Sequence, residues 1–116
     1  MATKRTAPPG YWQLRKRYPA YFDAVEALGA AVRQAGSLDE KTTQLVQLAA
    51  AAAIRSEGAV HSHVRRALEA GATADEIRHA VICITSTIGF PNVRAALSWA
   101  DDVLGKKRAG RKSVGS

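Results

Sequence analysis

Ser37-Leu38-Asp39-Glu40-Lys41-Thr42-Thr43-Gln44-Leu45-Val46-Gln47-Leu48, continuing through Ala49 to Ala53 and Ile54-Arg55 into Ser56-Glu57-Gly58-Ala59-Val60-His61-Ser62-His63-Val64-Arg65-Arg66-Ala67-Leu68-Glu69-Ala70-Gly71, is the stretch that decides the fold class. Ser37 to Glu40 has the capping-box form, in which the serine hydroxyl caps the glutamate amide and the glutamate side chain reaches back, so a helix is predicted to start there. Leu45, Val46, Leu48, Ala49, Ala52, Ala53 and Ile54 continue it. The alanine run presents small side chains on every side, which predicts a central helix that neighbours approach closely, including a neighbouring subunit. Glu57 and Gly58 mark its expected end, since glycine permits a sharp change of direction. A further helix is expected from about Ala59, carrying His61, His63, Val64, Ala67 and Leu68 to Gly71.

The same pattern extends outward in both directions. Downstream, Thr73-Ala74-Asp75-Glu76 repeats the capping box and opens a helix with Ile77, Ala80, Val81, Ile84 and Ile88 on its apolar face and Cys83 beside them. Gly89-Phe90-Pro91 interrupts that helix, and Pro91 suits the first turn of a last one with Val93, Ala96, Leu97, Ala100, Val103 and Leu104 facing inward. Upstream, a short helix over Tyr11 to Tyr18 is ended by Pro19, which forces its predecessor out of the helical region and then starts a helix reaching about Ala35. Phe22, Val25, Leu28, Gly29 and Val32 make one apolar stripe on it, and Gly36 stops it. The rings of Tyr11, Trp12, Tyr18, Tyr21 and Phe22, interleaved with Arg15, Lys16 and Arg17, read as an amphipathic segment covering the bundle or a neighbouring subunit; Trp99 reads as packing. No strand signal of any strength occurs. The prediction is an all-α helical bundle of one domain over residues 11–105, with a disordered lead-in at 1–10 and a basic, disordered tail at 106–116.

Composition narrows the function classes. A domain of 116 residues can bury roughly 65% of the surface its unfolded chain exposes, so a real core is within reach. The formal charge of +7 suggests a polyanion partner, but the distribution argues otherwise: between Tyr18 and Gly105 there are 7 basic and 10 acidic residues, a net of −3. The positive charge belongs to the ends, and with no groove-reading motif it implies at most weak nucleic-acid binding by the tails. One cysteine, Cys83, excludes an internal disulfide framework and reads as a small buried apolar residue. A reducing cytoplasm is the expected compartment. No apolar run is long enough to span a bilayer, and Met1 to Gly10 lacks the apolar core of a secretory signal.

Leu38-Asp39-Glu40-Lys41-Thr42, the alanine-rich helix, His63 to Thr73, Asp75-Glu76-Ile77 and Gly89-Phe90-Pro91 together resemble the carboxymuconolactone decarboxylase family, which includes the alkylhydroperoxidase D-like proteins. The resemblance covers roughly Leu38 to Leu104. It implies an alkylhydroperoxidase D-like all-α bundle, homo-trimers or homo-hexamers, and active sites near subunit contacts. It also implies that peroxidase members carry Cys-x-x-Cys followed three residues later by histidine, with a glutamate on the preceding helix relaying protons. Counted back from His63, the cysteine positions fall on Ser56 and Ala59, and the glutamate position falls near Gln44. Both thiols and the carboxylate are absent.

A dithiol couple needs one thiolate to attack and a second to resolve, so thiol-dependent peroxidase activity is disfavoured. The decarboxylase branch does not rely on the cysteines. There, His63 is expected to transfer protons on a small organic acid or lactone, with Arg55 and Glu57 as its companions and no cofactor. The competing reading is a catalytically silent binding or assembly module, with His63 packed at a helix junction. His61 and His63 stand two apart, on opposite sides of a helix, and cannot chelate one ion. Glu57 and His61 have chelating spacing, but Gly58 lies between them at the expected helix break, so no metal site is predicted.

Overall fold

The computed structural model describes residues 9–107. Of the disordered lead-in expected over 1–10, residues 1–8 lie outside the described residues while Pro9 and Gly10 are helical; of the disordered tail expected over 106–116, residues 108–116 lie outside them while Lys106 and Lys107 continue the last helix, which corrects both bounds. Seven α-helices occur in order among the described residues: α1 (Pro9–Arg17), α2 (Pro19–Arg33), α3 (Glu40–Ala53), α4 (Glu57–Glu69), α5 (Ala74–Ile82), α6 (Thr85–Ile88) and α7 (Phe90–Lys107). No strand occurs among them. The chain forms two compact units that divide in sequence between Asp39 and Glu40, so the span expected as one domain contains both.

The first unit is a pair of helices hinged at Pro19. Tyr18 lies outside the helical region (φ −133°, ψ 68°), in keeping with the clash that a following proline imposes on helical backbone, and Pro19 opens α2. Phe22 is buried, with the Tyr11 ring edge-on at 4.7 Å and the Arg15 guanidinium 5.4 Å from its centroid. Tyr11 Oη donates to Glu26 Oε2 at 3.1 Å. The remainder of the predicted α2 stripe differs from expectation. Val25, Leu28 and Val32 are exposed, as are Tyr18 and Tyr21.

The second unit is built around α3, which packs against α4, α5 and α7. Its core consists of Leu48, Ala51 and Ala52 from α3, Val60, Val64 and Ala67 from α4, Ile77 and Val81 from α5, and Val93, Ala96, Ala100 and Leu104 from α7, with Ala72 from the α4–α5 turn. Ala52, Ala67, Ala96 and Ala100 have no exposed surface, which is how small side chains let four helices share one centre. Each fully buried leucine, isoleucine or valine contributes about 1.5–3 kcal/mol relative to exposure.

Three boundaries move from their predicted places. α3 stops at Ala53, not near Glu57, because Ser56 caps α4 and its hydroxyl accepts from Ala59 N at 3.3 Å. Gly58 therefore lies inside α4 and breaks nothing. At the start of α3, Glu40 is the first helical residue, so Asp39 and not Ser37 stands in the capping place; aspartate and serine cap equally well. The helix predicted to run to Ile88 is broken at Cys83 and Ile84, where the Thr85 hydroxyl donates to Ile82 O at 2.7 Å and α6 begins. Cys83 is exposed at that turn, which corrects the expectation that it is buried.

Candidate functional site

The site assembles from the facing sides of α3 and α4. Glu40 and Gln44 are one turn apart on α3, which puts their side chains on the same face. Gln44 Nε2 donates to Glu40 Oε2 at 3.1 Å, and Gln44 Oε1 lies 2.9 Å from Nδ1 of His63 on α4. Gln44 is 1% exposed and His63 half-buried.

Chemistry fixes the direction of this chain. An ionised carboxylate only accepts hydrogen bonds, so the Gln44 amide nitrogen must face Glu40. The amide oxygen then faces His63 and can only accept. Nδ1 of His63 must therefore carry the proton, and in the neutral ring the lone pair is at Nε2. Glu40, two bonded links away, sets the tautomer of the histidine. One turn further along the same face of α3, Gln47 Oε1 is buried with no hydrogen-bond partner among the described residues. A buried unsatisfied acceptor costs about 1–3 kcal/mol, so this position suits a donor supplied by a bound molecule.

The other predicted residues lie elsewhere. Arg55, in the α3–α4 turn, donates to Asn92 Oδ1 at the start of α7 and stacks over Trp99 at 5.7 Å from the ring centroid. Asn92 is itself anchored through Nδ2 to Ile88 O at 2.7 Å. Glu57, in the first turn of α4, is 3.9 Å from Nε2 of His61, which in turn is 2.8 Å from Asp102 Oδ2 on α7. Glu57 and His63 are six residues apart, which places them on different faces of α4. Thus His63 and Gln44 are brought together, while Arg55 and Glu57 are engaged in other interactions. Ser56 and Ala59 are also joined, by the capping bond. Two thiols at those places would sit at a helix N-terminus, where the dipole favours thiolate; the serine hydroxyl instead serves α4.

Residues 19–102 match the Carboxymuconolactone decarboxylase family. The chain belongs to this family. The match begins well before Leu38 and takes in α2 as well as the bundle. An uncharacterized protein of Methanocaldococcus jannaschii is 32% identical over 92 residues, covering 79% of this chain and 86% of its own. A second uncharacterized protein, from Haemophilus influenzae, is 39% identical over 57 residues, 49% of this chain and 50% of that one. The fold matches a crystal structure from Burkholderia xenovorans LB400, of a protein provisionally named a carboxymuconolactone decarboxylase, with a TM-score of 0.67, 23% identity, and coverage of 90% of this chain and 84% of that one.

For this carboxymuconolactone decarboxylase family member, sequence reasoning missed Glu40, Asn92 and Asp102 as members of these clusters. Glu40 had a signal, its four-residue spacing from Gln44. Asn92 and Asp102 had none, because they meet Arg55 and His61 across 37 and 41 residues of chain. No helix among the described residues is long and apolar enough to cross a membrane.

Proposed function

We propose that this family member is a non-redox acid/base catalyst of the lyase class, acting on a small organic acid or lactone, with His63 as its proton-transfer residue. The observation that carries the reading is the directed chain Glu40–Gln44–His63, which presets the imidazole with its proton on Nδ1 and its lone pair at Nε2. Such a ring takes a proton from solvent at Nε2 and, as imidazolium, keeps donating to the Gln44 carbonyl. In a decarboxylation the bond from carbon to the leaving carboxylate breaks, CO2 departs, the electron pair stays on carbon, and the imidazolium returns its proton there. The buried oxygen of Gln47 supports a ligand bearing a hydrogen-bond donor. Glu40 and Gln44 are positioning residues. The enzyme is proposed to work as a homo-oligomer in the cytoplasm, a reducing compartment that suits its single cysteine.

Turnover of small lactone carboxylates, followed by CO2 release, tests the proposal. His63→Ala should lose roughly 100-fold or more of the rate while the oligomer and its helicity persist. Gln44→Leu should lower kcat with little change in KM, and the 15N shifts of the His63 ring should show Nδ1 no longer uniquely protonated. Unchanged turnover in His63→Ala would leave the assembly-module reading, which the exposed apolar stripe of α2 favours.

A further inference from the structure

We propose that Glu57, His61 and Asp102 form a binding site for a divalent cation of the zinc class, on the surface shared by α4 and α7 and on the opposite side of α4 from His63. The three side chains come from two helices and converge. His61 Nε2 is 2.8 Å from Asp102 Oδ2 and 3.9 Å from Glu57 Oε2, and all three donor atoms lie within 4.8 Å of one another. Donors bound at about 2.0–2.2 Å around a tetrahedral ion stand roughly 3.4 Å apart. Reaching that spacing requires the His61–Asp102 contact to open and the His61–Glu57 contact to close.

The donor set selects the ion. One imidazole nitrogen and two carboxylates carry a charge of −2 when the ring is neutral, which a dication cancels. Imidazole favours zinc and its first-row neighbours over magnesium, and the absence of thiolate disfavours soft monovalent copper. The neighbouring carboxylate of Asp101 is paired with the Arg78 guanidinium at 3.0 Å. The side chains of Glu57 and Asp102 are each 55% exposed and that of His61 26%, so the ion can enter from solvent and keep water in its open positions. Without the ion, exposed pairs of this kind contribute only about 0–1 kcal/mol; with it, the first turn of α4 is clamped to α7. The sequence hid the site because Gly58 looked like a helix break, whereas Ser56 caps α4 ahead of it and makes Glu57 and His61 true one-turn neighbours.

The test uses the full chain without a histidine tag, stripped with chelator and titrated by calorimetry with zinc chloride and with cobalt chloride. One equivalent should bind, the cobalt form should show visible absorption bands, and magnesium chloride should not compete. Asp102→Asn and His61→Ala should abolish the cobalt spectrum, and Glu57→Gln should weaken zinc binding at least about tenfold. His79→Ala, which alters an exposed histidine on α5, should bind as the unaltered chain does. Circular dichroism confirms that each variant folds, and Asp102→Asn alone decides the matter if His61→Ala does not. No bound equivalent in the unaltered chain, or undiminished binding in Asp102→Asn, overturns the proposal.

Discussion

Arg55 has a φ of 59°, the only positive value among the described residues that are not glycine. An L-residue in that left-handed conformation costs about 1–3 kcal/mol when nothing repays it. Here the Asn92 hydrogen bond and the stacking over Trp99 offset the strain, and they bind the α3–α4 turn to the start of α7. The two contributions are separable. Arg55→Ala keeps the strained backbone and loses both contacts, so it should destabilise the fold by about 1–2 kcal/mol. Arg55→Gly loses the same contacts but relieves the backbone, so its urea midpoint should lie above that of Arg55→Ala by about 1 kcal/mol equivalent. If the order is reversed, the turn is not strained. Nothing in the local sequence marks this residue, since a basic side chain before a serine cap fits an ordinary helix end equally well. His63 was legible for a different reason: the family resemblance singles it out and points to Gln44 on the preceding helix, and the two side chains meet at 2.9 Å across the α3–α4 turn.

Among the elements, the junction of α4 and α5 is where local chemistry dictates structure most fully. Gly71 takes φ 98° after α4, the Gly71 amide donates to Leu68 O at 3.0 Å, and the Ala72 amide donates to Ala67 O at 2.9 Å. These are the two bonds of the Schellman motif, and the buried pair Ala67 and Ala72 closes it. Two residues later, Thr73 Oγ1 accepts from Glu76 N at 3.0 Å while Thr73 N donates to Glu76 Oε1 at 2.9 Å, the capping box read from the sequence. The Glu76 carboxylate also meets Lys41 Nζ at 3.1 Å, which ties α5 to α3. The Thr73 backbone amide first, and then the Lys41 ammonium, hold this carboxyl below its usual 4.5. Since the folded form ionises at lower pH than the unfolded one, the stabilisation is complete above the unfolded pKa and is lost as pH falls through the folded value. The gap in urea midpoint between the unaltered chain and Glu76→Gln should therefore be widest near neutral pH and close as pH falls through and below the usual carboxylate range. A gap that does not change with pH would refute the assignment. Thr73→Ala should cost about 1 kcal/mol at any pH in this range. Where two capping residues stand side by side, as Ser37 and Asp39 do, sequence fixes the existence of the helix but not its first residue. The Cys83–Ile84 break was illegible because its apolar residues keep the helical period across it.

At the scale of the whole molecule, the sequence pattern of α2 promises more burial than this single chain supplies. Tyr21, Val25, Leu28 and Val32 recur at intervals of four, three and four residues, and they are 59%, 47%, 62% and 53% exposed. A stripe of this kind on a water-facing helix would normally be polar, and contiguous exposed apolar surface marks an interaction site. The partner least in need of special explanation is a second copy of the chain, which brings an equal stripe and makes the contact self-complementary. Covering a valine or leucine contributes about 1.5–3 kcal/mol, so a few such residues from each copy supply a substantial driving force before association costs. Light scattering coupled to size-exclusion chromatography should therefore give a mass that is a multiple of the chain's 12.4 kDa. Leu28→Glu combined with Val32→Glu should shift the mass toward the monomer while leaving the helical circular dichroism intact, because neither side chain belongs to the buried core. A monomeric mass for the unaltered chain, or an unchanged multiple in the double variant, would remove α2 as the assembly surface. Were turnover to disappear together with the oligomer while Glu40, Gln44 and His63 stay in place, the catalytic unit would be the assembly rather than the chain.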